Sequence, residues 1–333
     1  MIQEKLLGKT GFEVNRVGLG CVTFGREIDE ATSFRIMDYA LDKGITLFDT
    51  AEGYGGGEAR DYRRNLLGLE DTREVSGELH SSEKIIGRWL KTRQCRDQVI
   101  LQTKIATNFT AAHIAEALDA SLQRLQTDTI DIYLFHSFDP HTSLEESLLA
   151  MTLAVKAGKI RVAGCSNFTA DQLRRALNIT QRYGFTRLEV IQPVYNLVHR
   201  DIEKDILPLC REQEIAAITY SPLGAGFLSG KYTPDRKAFP QASRFNVIPG
   251  HADEYFNNRN FRVVEQLRQM AETTRVPMVR LALGWVLRNP DVTSVLVGAR
   301  TTSHLENALL AQEMDFSEQW LSEMNRWEKE SSW

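Results

Sequence analysis

Eight short apolar runs recur along the chain, and between them the apolar positions follow the spacing of amphipathic helices. The runs are nearly continuous rather than alternating, as expected for strands buried on both faces of a parallel sheet. Because a helical stretch separates successive strands, the pattern predicts right-handed β-α crossovers and a (β/α)8 TIM barrel. The predicted strands cover residues 16–22, 45–51, 98–105, 130–137, 160–168, 188–196, 215–224 and 293–300.

Polar residues in front of the helical stretches indicate where the helices begin. Asp29 is expected to cap the first helix. Ser143 with Glu146, and Thr169 with Gln172, have the spacing of a capping box and predict two further helix starts. Other helices are expected near 81–90, 203–212, 260–274 and 277–289, with one more through Ile114, Leu118 and Leu122.

An open doubly wound sheet is the main alternative fold, and it would carry the pattern G-x-G-x-x-G after its first strand. In "GLGCVTFG", Gly18 and Gly20 match this pattern, whereas Phe24 and Gly25 break its spacing. The barrel is therefore preferred. It is expected to form a single domain over residues 1–333, because α/β barrels often reach this length as one domain.

Two segments are longer than ordinary loops. Residues 55–80 and 225–259 are polar, and they follow the second and seventh predicted strands. Loops of this length are usually functional or disordered, and both would lie on the face of the barrel that carries the chemistry. The mixed charges of the first segment suggest a lid or a subunit contact, with a disordered excursion as the alternative.

The composition is that of a soluble globular protein, with 42% hydrophobic and 25% charged residues. A net charge of -4 without basic runs argues against nucleic-acid binding. No signal peptide and no apolar stretch of about 18 residues is apparent, so a cytoplasmic protein without membrane spans is expected. The number of subunits stays open. Widely spaced cysteines do not suggest a disulfide framework or a zinc site: Cys21, Cys95, Cys165 and Cys210.

Polar residues close several of the apolar runs. Asp49 ends the second predicted strand and Tyr54 follows it, Lys104 ends the third, and His136 ends the fourth. The carboxyl ends of barrel strands face a shared pocket, so these side chains are expected to converge. Each residue alone could be structural, but their joint placement favours a functional site. Further polar residues close the fifth to seventh strands: Ser166, Asn167, Gln192, Tyr220 and Ser221.

Six motifs, in order along nearly the whole chain, resemble those of the aldo-keto reductases. They are "FDTAEGYG", "LQTKIA", "YLFH", "GKIRVAGCSNF", "IQPVYN" and "YSPLGAGFLSGKY". The resemblance implies a barrel that binds an extended nicotinamide cofactor and reduces small carbonyl compounds, or oxidises the corresponding alcohols. It also implies that the opening "EKLLGKTGFEVNRVG" forms a hairpin that closes the bottom of the barrel.

The same resemblance implies a catalytic tetrad of Asp49, Tyr54, Lys104 and His136. Tyr54 would be the general acid, and the Lys104 ammonium is expected to lower the pKa of its phenol. Asp49 would hold Lys104 in place. His136 would orient the substrate oxygen.

The cofactor residues are also implied by resemblance. Ser166, Asn167 and Gln192 would bind the carboxamide, and Tyr220 would stack under the nicotinamide ring. "VGARTTSHLEN" resembles the segment that binds the 2'-phosphate, where Arg300 would pair with the phosphate. NADP(H) is therefore preferred, with NAD(H) or the use of both cofactors as the alternatives. The remaining expected contacts are Gly20, Cys21, Ser221, Leu223, Gly224, Lys231, Gly298, His304 and Asn307.

Two other functions are weighed against a reductase. A regulatory binder resembling potassium-channel β subunits would keep the barrel and the cofactor, but the intact tetrad favours an enzyme. A metal-dependent hydrolase could use His136, Asp139 and His141 as zinc ligands, but it would lack an H-x-H motif after the first strand and would leave Lys104 without a role.

Overall fold

The strands of the protein match the apolar runs of its sequence. The computed structural model describes residues 4–57, 75–235, 239–241, 243–248, 250 and 252–330. Its strands are β1 Glu4–Leu6, β2 Glu13–Asn15, β3 Val17–Gly20, β4 Leu47–Asp49, β5 Ile100–Ile105, β6 Ile130–Phe135, β7 Ile160–Ser166, β8 Leu188–Gln192, β9 Ala216–Thr219 and β10 Val292–Gly298. Strands β3 to β10 pair in parallel and close into a barrel, in which β10 lies beside β3. The predicted (β/α)8 barrel is therefore confirmed.

Helices follow the barrel strands in the described part of the chain. They are α1 Glu30–Asp42, α2 Ser81–Arg93, α3 Ala111–Leu125, α4 Leu144–Lys156, α5 Ala170–Tyr183, α6 Ile206–Gln213, α7 Arg244–Val247, α8 Ala252–Tyr255, α9 Asn258–Thr274, α10 Met278–Arg288, α11 Thr302–Glu313 and α12 Glu318–Glu330. Sequence reasoning missed the short helices α7 and α8 and the last two helices. In α11 the buried face includes the small residues Ala308 and Ala311, which give little apolar signal.

The two predicted capping boxes have different outcomes. Thr169 and Gln172 form the complete reciprocal box at the start of α5. At the start of α4, Ser143 Oγ accepts from the Glu146 amide at 3.4 Å, but Glu146 Oε1 accepts from the backbone amide of Ala111 at 2.8 Å. The second half of that predicted box is therefore wrong, because the glutamate binds the first residue of the neighbouring helix α3 instead.

The N-terminal hairpin closes the end of the barrel where the strands begin. Strands β1 and β2 pair antiparallel, and the turn between them binds the start of β8, where the Lys9 amide donates to the Glu189 carboxylate at 3.3 Å. Leu7 and Val14 are fully buried. They pack with inward-facing barrel side chains, including Leu47, Ile132, Leu134, Val190, Ile218 and Leu296. This confirms the predicted plug.

The long connection after β9 is organised around aromatic side chains. Phe245 is fully buried, with its ring centroid 4.5 Å from that of Tyr232, 5.5 Å from that of Phe256 and 5.7 Å from that of Tyr255. This packing joins the described parts of residues 225–259 to one another. The lid or subunit contact suggested for 55–80 concerns mainly residues 58–74, which lie outside the described residues.

Within the described ranges, the chain contains no helix that is both long and apolar enough to span a bilayer.

Candidate active site

The four predicted tetrad residues meet at the mouth of the barrel. Asp49 is the last residue of β4, and Lys104 lies in β5, where it pairs in register with Leu134 of β6. His136 follows β6 directly, and Tyr54 lies in the loop after β4. Lys104 is fully buried and Asp49 nearly so, whereas both aromatic side chains are half-buried. The floor of the site is therefore a buried pair of charged side chains, and its rim is partly open.

The Lys104 ammonium connects the site. Its Nζ lies 2.6 Å from Asp49 Oδ1, 2.7 Å from the Thr50 carbonyl oxygen and 3.4 Å from the Tyr54 hydroxyl oxygen. An ammonium has three donors, and these three acceptors account for all of them. Burial lowers the pKa of Lys104, while the charge of Asp49 and its hydrogen bond act in the opposite direction.

The Asp49 carboxylate is held by two amides in addition to Lys104. Gln102 Nε2 donates to Asp49 Oδ1 at 2.6 Å, and Gln192 Nε2 donates to the same oxygen at 2.9 Å. Sequence reasoning missed Gln102, although its polar side chain within the apolar run "VILQTKI" was an available signal. Gln192 was expected to bind the cofactor carboxamide, and in the structure its amide faces Asp49.

The Tyr54 phenol has a raised pKa rather than the lowered one that the sequence suggested. Burial raises it well above its ordinary value, and the negative charge of Asp49 acts in the same direction. The phenol is therefore protonated at neutral pH, as a proton donor must be. The nearby Lys104 ammonium remains placed to stabilise a phenolate once the proton has left.

His136 is a neutral member of the site. Burial, and then the charge of Lys104, lower the pKa of its imidazole from 6.5 to about 3. Its ring meets the Tyr54 ring edge to face, with 5.6 Å between the centroids. A neutral imidazole can still donate one N–H. His136 can therefore bind a substrate oxygen beside the tyrosine without adding charge.

Residues at the ends of β7 and β9 continue the site from His136. The Asn167 Nδ2 donates to the His136 carbonyl at 3.0 Å, and the Tyr220 hydroxyl donates to Asn167 Oδ1 at 2.9 Å. Asn167 has a left-handed backbone, with φ of 56°. Nearby, Ser166 Oγ donates to the Gln192 carbonyl at 2.7 Å. The predicted carboxamide-binding residues and Tyr220 are thus brought together beside the tetrad.

Three basic side chains, Lys231, Arg300 and His304, form what we call the basic cluster. The Arg300 amide donates to His304 Nδ1 at 3.4 Å. Burial and then the charge of Arg300 lower the pKa of Lys231, while burial, Arg300 and Lys231 lower that of His304. Side chains that repel one another in this way suit an anionic ligand, so the donor set fits the phosphates of a dinucleotide.

A buried carboxylate borders the basic cluster. Glu27 Oε2 lies 3.8 Å from Arg300 Nη1, and Glu27 also pairs with Arg244 and, at 2.7 Å, with Arg26. The ion pairs of Glu27 therefore join the loop after β3, helix α7 and the end of β10. Sequence reasoning did not single out Glu27, because a lone acid in a loop carries no local signal.

The other predicted cofactor residues lie on the same face. Gly20 pairs in register with Gly298, where β3 meets β10, and the Cys21 amide donates to the Asp49 carbonyl at 2.8 Å. A tight turn follows β9, and it brings Ser221, Leu223 and Gly224 to the barrel mouth.

Asn307 is the one predicted contact that faces another helix. Its Oδ1 accepts from Arg280 Nε at 2.9 Å, and its Nδ2 donates to the Ser303 carbonyl at 2.8 Å. Both ends of the amide are therefore bound within the protein.

The residues considered for zinc have other partners. Asp139 accepts from the Phe109 amide at 3.1 Å, the His141 amide at 2.8 Å and the Thr142 hydroxyl at 2.7 Å. The carboxylate orders its own loop. Across the described ranges, no group of three or more His, Cys, Asp or Glu side chains is arranged to hold a metal ion.

Comparison with known proteins gives matches along nearly the whole chain. A sequence model described as "Aldo/keto reductase family" matches residues 16–329. The aldo-keto reductase YhdN of Bacillus subtilis is 34% identical over 314 residues, covering 90% of this chain and 86% of that protein. The uncharacterized oxidoreductase YrpG of the same organism is 32% identical over 333 residues, covering 96% and 94%. A probable voltage-gated potassium channel subunit beta of Arabidopsis thaliana is 30% identical over 328 residues, covering 93% and 91%.

Proposed function

The chain belongs to the aldo/keto reductase family, and from this premise we propose that it reduces small aldehydes or ketones to alcohols with NADP(H). Membership of the family makes it an oxidoreductase that acts on carbonyl compounds with a nicotinamide cofactor. The observation that carries the proposal is the Lys104 ammonium, 2.6 Å from Asp49 and 3.4 Å from the Tyr54 hydroxyl. A phenol in this contact can release a proton to a substrate oxygen.

Tyr54 acts as the general acid in the proposed reaction. A bound nicotinamide would supply the hydride that forms the new C–H bond at the carbonyl carbon. The Tyr54 hydroxyl gives its proton to the carbonyl oxygen, which becomes the alcohol, and the phenolate left behind is stabilised by Lys104. Proton donation of this kind contributes on the order of 10²–10⁴ in rate. The neutral His136 imidazole orients the oxygen.

The cofactor would extend from the tetrad to the basic cluster. Asn167 and Tyr220 lie next to His136 and would contact the nicotinamide end. Lys231 and Arg300 would bind the phosphates, and Arg300 is the residue proposed to favour NADP(H) over NAD(H). The gathering of basic side chains at that end supports this preference.

A carbonyl-reduction assay tests the proposal directly. The purified protein, with NADPH or NADH, is offered a panel of aldehydes, ketones and keto sugars, and cofactor oxidation is followed by absorbance. We expect turnover with several members of the panel and a lower KM for NADPH. Tyr54→Phe should bind NADPH normally and lose most turnover, whereas Tyr183→Phe, at a half-exposed side chain, should behave like the wild type.

The alternative function is that of a nucleotide-binding regulatory subunit. The similarity to a protein named as a probable potassium channel subunit beta favours keeping this candidate. It predicts tight NADPH binding but no oxidation of bound NADPH when the carbonyl panel is added. An active wild type whose Tyr54→Phe variant is inactive would contradict it.

A further inference from the structure

The first turn of α2 buries polar side chains against the loop that carries Tyr54. Ser81 and Ser82 both have 0% exposure, although serines are mostly exposed in folded proteins. Their hydroxyls bind outside their own helix. The two residues, which we call the serine pair, therefore join α2 to the active-site loops.

Ser82 contacts three residues in the two loops that follow β3 and β4. Its hydroxyl donates to the Cys21 carbonyl at 2.9 Å and lies 2.8 Å from Thr50 Oγ1. A serine hydroxyl has one proton, so Thr50 must be the donor in the second contact. The Ser82 amide also donates to the Tyr54 carbonyl at 3.4 Å.

Ser81 fixes the same loops by close packing. Its hydroxyl donates to the Phe24 carbonyl at 3.2 Å and accepts from the Gly56 amide at 3.3 Å. A Cβ added to Gly25 or Gly55 would lie 2.1 Å or 2.3 Å from Ser81 Oγ. Both glycines also have positive φ, of 74° and 130°. The helix start therefore leaves these two backbones no space to move inward.

We propose that Ser82 is a positioning residue for the proposed reaction, because it fixes Thr50 and Tyr54 relative to each other. The Thr50 carbonyl accepts from Lys104 Nζ at 2.7 Å, and the Tyr54 hydroxyl lies 3.4 Å from the same nitrogen. Ser82 thus binds the backbone or side chain of both residues that contact the ammonium beside Asp49. This inference rests on the proposed role of Tyr54 as the acid.

Ser82→Ala removes the hydroxyl without adding volume, and Ser147→Ala is its matched control. Ser147 is 2% exposed, lies in the first turn of α4 and donates to the Phe109 carbonyl at 2.8 Å. Both variants should lose similar thermal stability. Ser82→Ala should lower kcat about tenfold, since misplacement by about 1 Å can cost up to about 10². KM and the cofactor Kd should change by less than about twofold, because ground-state binding is intact. An equal kcat in both variants would overturn the proposal.

A double-mutant cycle tests the route through Thr50. Thr50→Val removes the donor and keeps the shape of the side chain. If the two hydroxyls act together, Ser82→Ala/Thr50→Val should lower kcat no more than the more severe single variant. Losses that multiply in the double variant would show that the residues act separately and would contradict the proposed route.

Fluorine NMR provides a readout that needs no turnover. The protein is labelled with 3-fluorotyrosine, and the Tyr54 signal is assigned from its absence in Tyr54→Phe. We expect this signal to shift or broaden in Ser82→Ala and to stay in place in Ser147→Ala. An unmoved signal in Ser82→Ala would reject the positioning role. A wild type that reduces no carbonyl would instead reject the proposed function. The NMR result would still test whether Ser82 positions Tyr54.

Discussion

The tetrad and the basic cluster lie on the same face of the barrel, but their charges are arranged differently. In the tetrad, Asp49 and Lys104 form a buried ion pair at 2.6 Å, and two side-chain amides also donate hydrogen bonds to the carboxylate. In the basic cluster, Arg300 is 3.8 Å from Glu27, and burial and then the charge of Arg300 lower the pKa of Lys231. One region is organised by pairing within the protein, and the other gathers like charges that suit an anionic ligand. The first should control turnover and the second cofactor affinity.

Removing the tetrad cation should have the largest effect. Lys104→Met should reduce kcat by about 10²–10⁴, because Tyr54 loses the charge that stabilises its phenolate. It also leaves Asp49 as an unpaired buried charge, which typically costs about 3–5 kcal/mol. Steady-state kinetics and thermal unfolding measure the two effects.

The variant Asp49→Asn/Lys104→Met is the control for that prediction. It should recover much of the lost stability, because no charge remains unpaired, and it should stay inactive. NADPH titration of this double variant should give nearly the wild-type Kd. A large loss of cofactor affinity would contradict the proposal that the tetrad controls turnover and the basic cluster controls cofactor affinity.

Removing a cation from the basic cluster should weaken cofactor binding and leave turnover nearly unchanged, which is the reverse of the effect expected at Lys104. Arg300→Leu should raise the Kd for NADPH by about 10–100-fold, as expected for a lost charge-assisted hydrogen bond of roughly 1.5–3 kcal/mol. NADH binding and kcat at saturating cofactor should change little. Fluorescence titration with both cofactors measures this, and Arg174→Leu, at an exposed ion pair, is the control. Equal losses for both cofactors would show that Arg300 does not read the 2'-phosphate.

Gln192 is expected to bind the cofactor carboxamide, and its amide also donates to Asp49, so a variant at this position separates the two roles. If its main role is to hold that carboxylate, Gln192→Ala should lower kcat about tenfold, in line with the loss of roughly one hydrogen bond to a charged group. The cofactor Kd should stay within about twofold. Titration and steady-state kinetics separate the outcomes, since a raised Kd with normal kcat would favour the carboxamide role.

The last expected effect is on acid stability rather than on turnover or cofactor binding. The pKa of His136 falls from 6.5 to about 3 on folding, so between these values the unfolded chain binds a proton that the folded protein does not. Stability is therefore lost as the pH falls from 6.5 toward 3. His136→Asn should flatten this loss by at most about 1.4 kcal/mol per pH unit. Urea denaturation across the range measures it. His141→Asn, at an exposed side chain, should leave the wild-type slope unchanged.

Sequence patterns were most informative where a local signal repeats. Each barrel strand coincides with an apolar run, because burial on both faces demands apolar side chains along the whole strand. The weakly patterned helix α11 was missed for the converse reason. Glu146 shows a different failure: its spacing from Ser143 predicts a capping box, but the neighbouring helix offers a competing amide donor. Such competition depends on distances that spacing along the chain does not report.

The order of residues alone determined the barrel and the identity of the polar side chains at its mouth, and the resemblance of its motifs to the aldo-keto reductases added the plug at its lower end. Only the tertiary structure decided which groups those side chains bind and how their pKa values shift. It placed Gln102 and Gln192 on Asp49 and raised rather than lowered the pKa of Tyr54. The physical reason is that apolar burial follows a short periodic pattern along one chain segment. Hydrogen-bond partners and desolvation, in contrast, depend on which distant segments meet around each group.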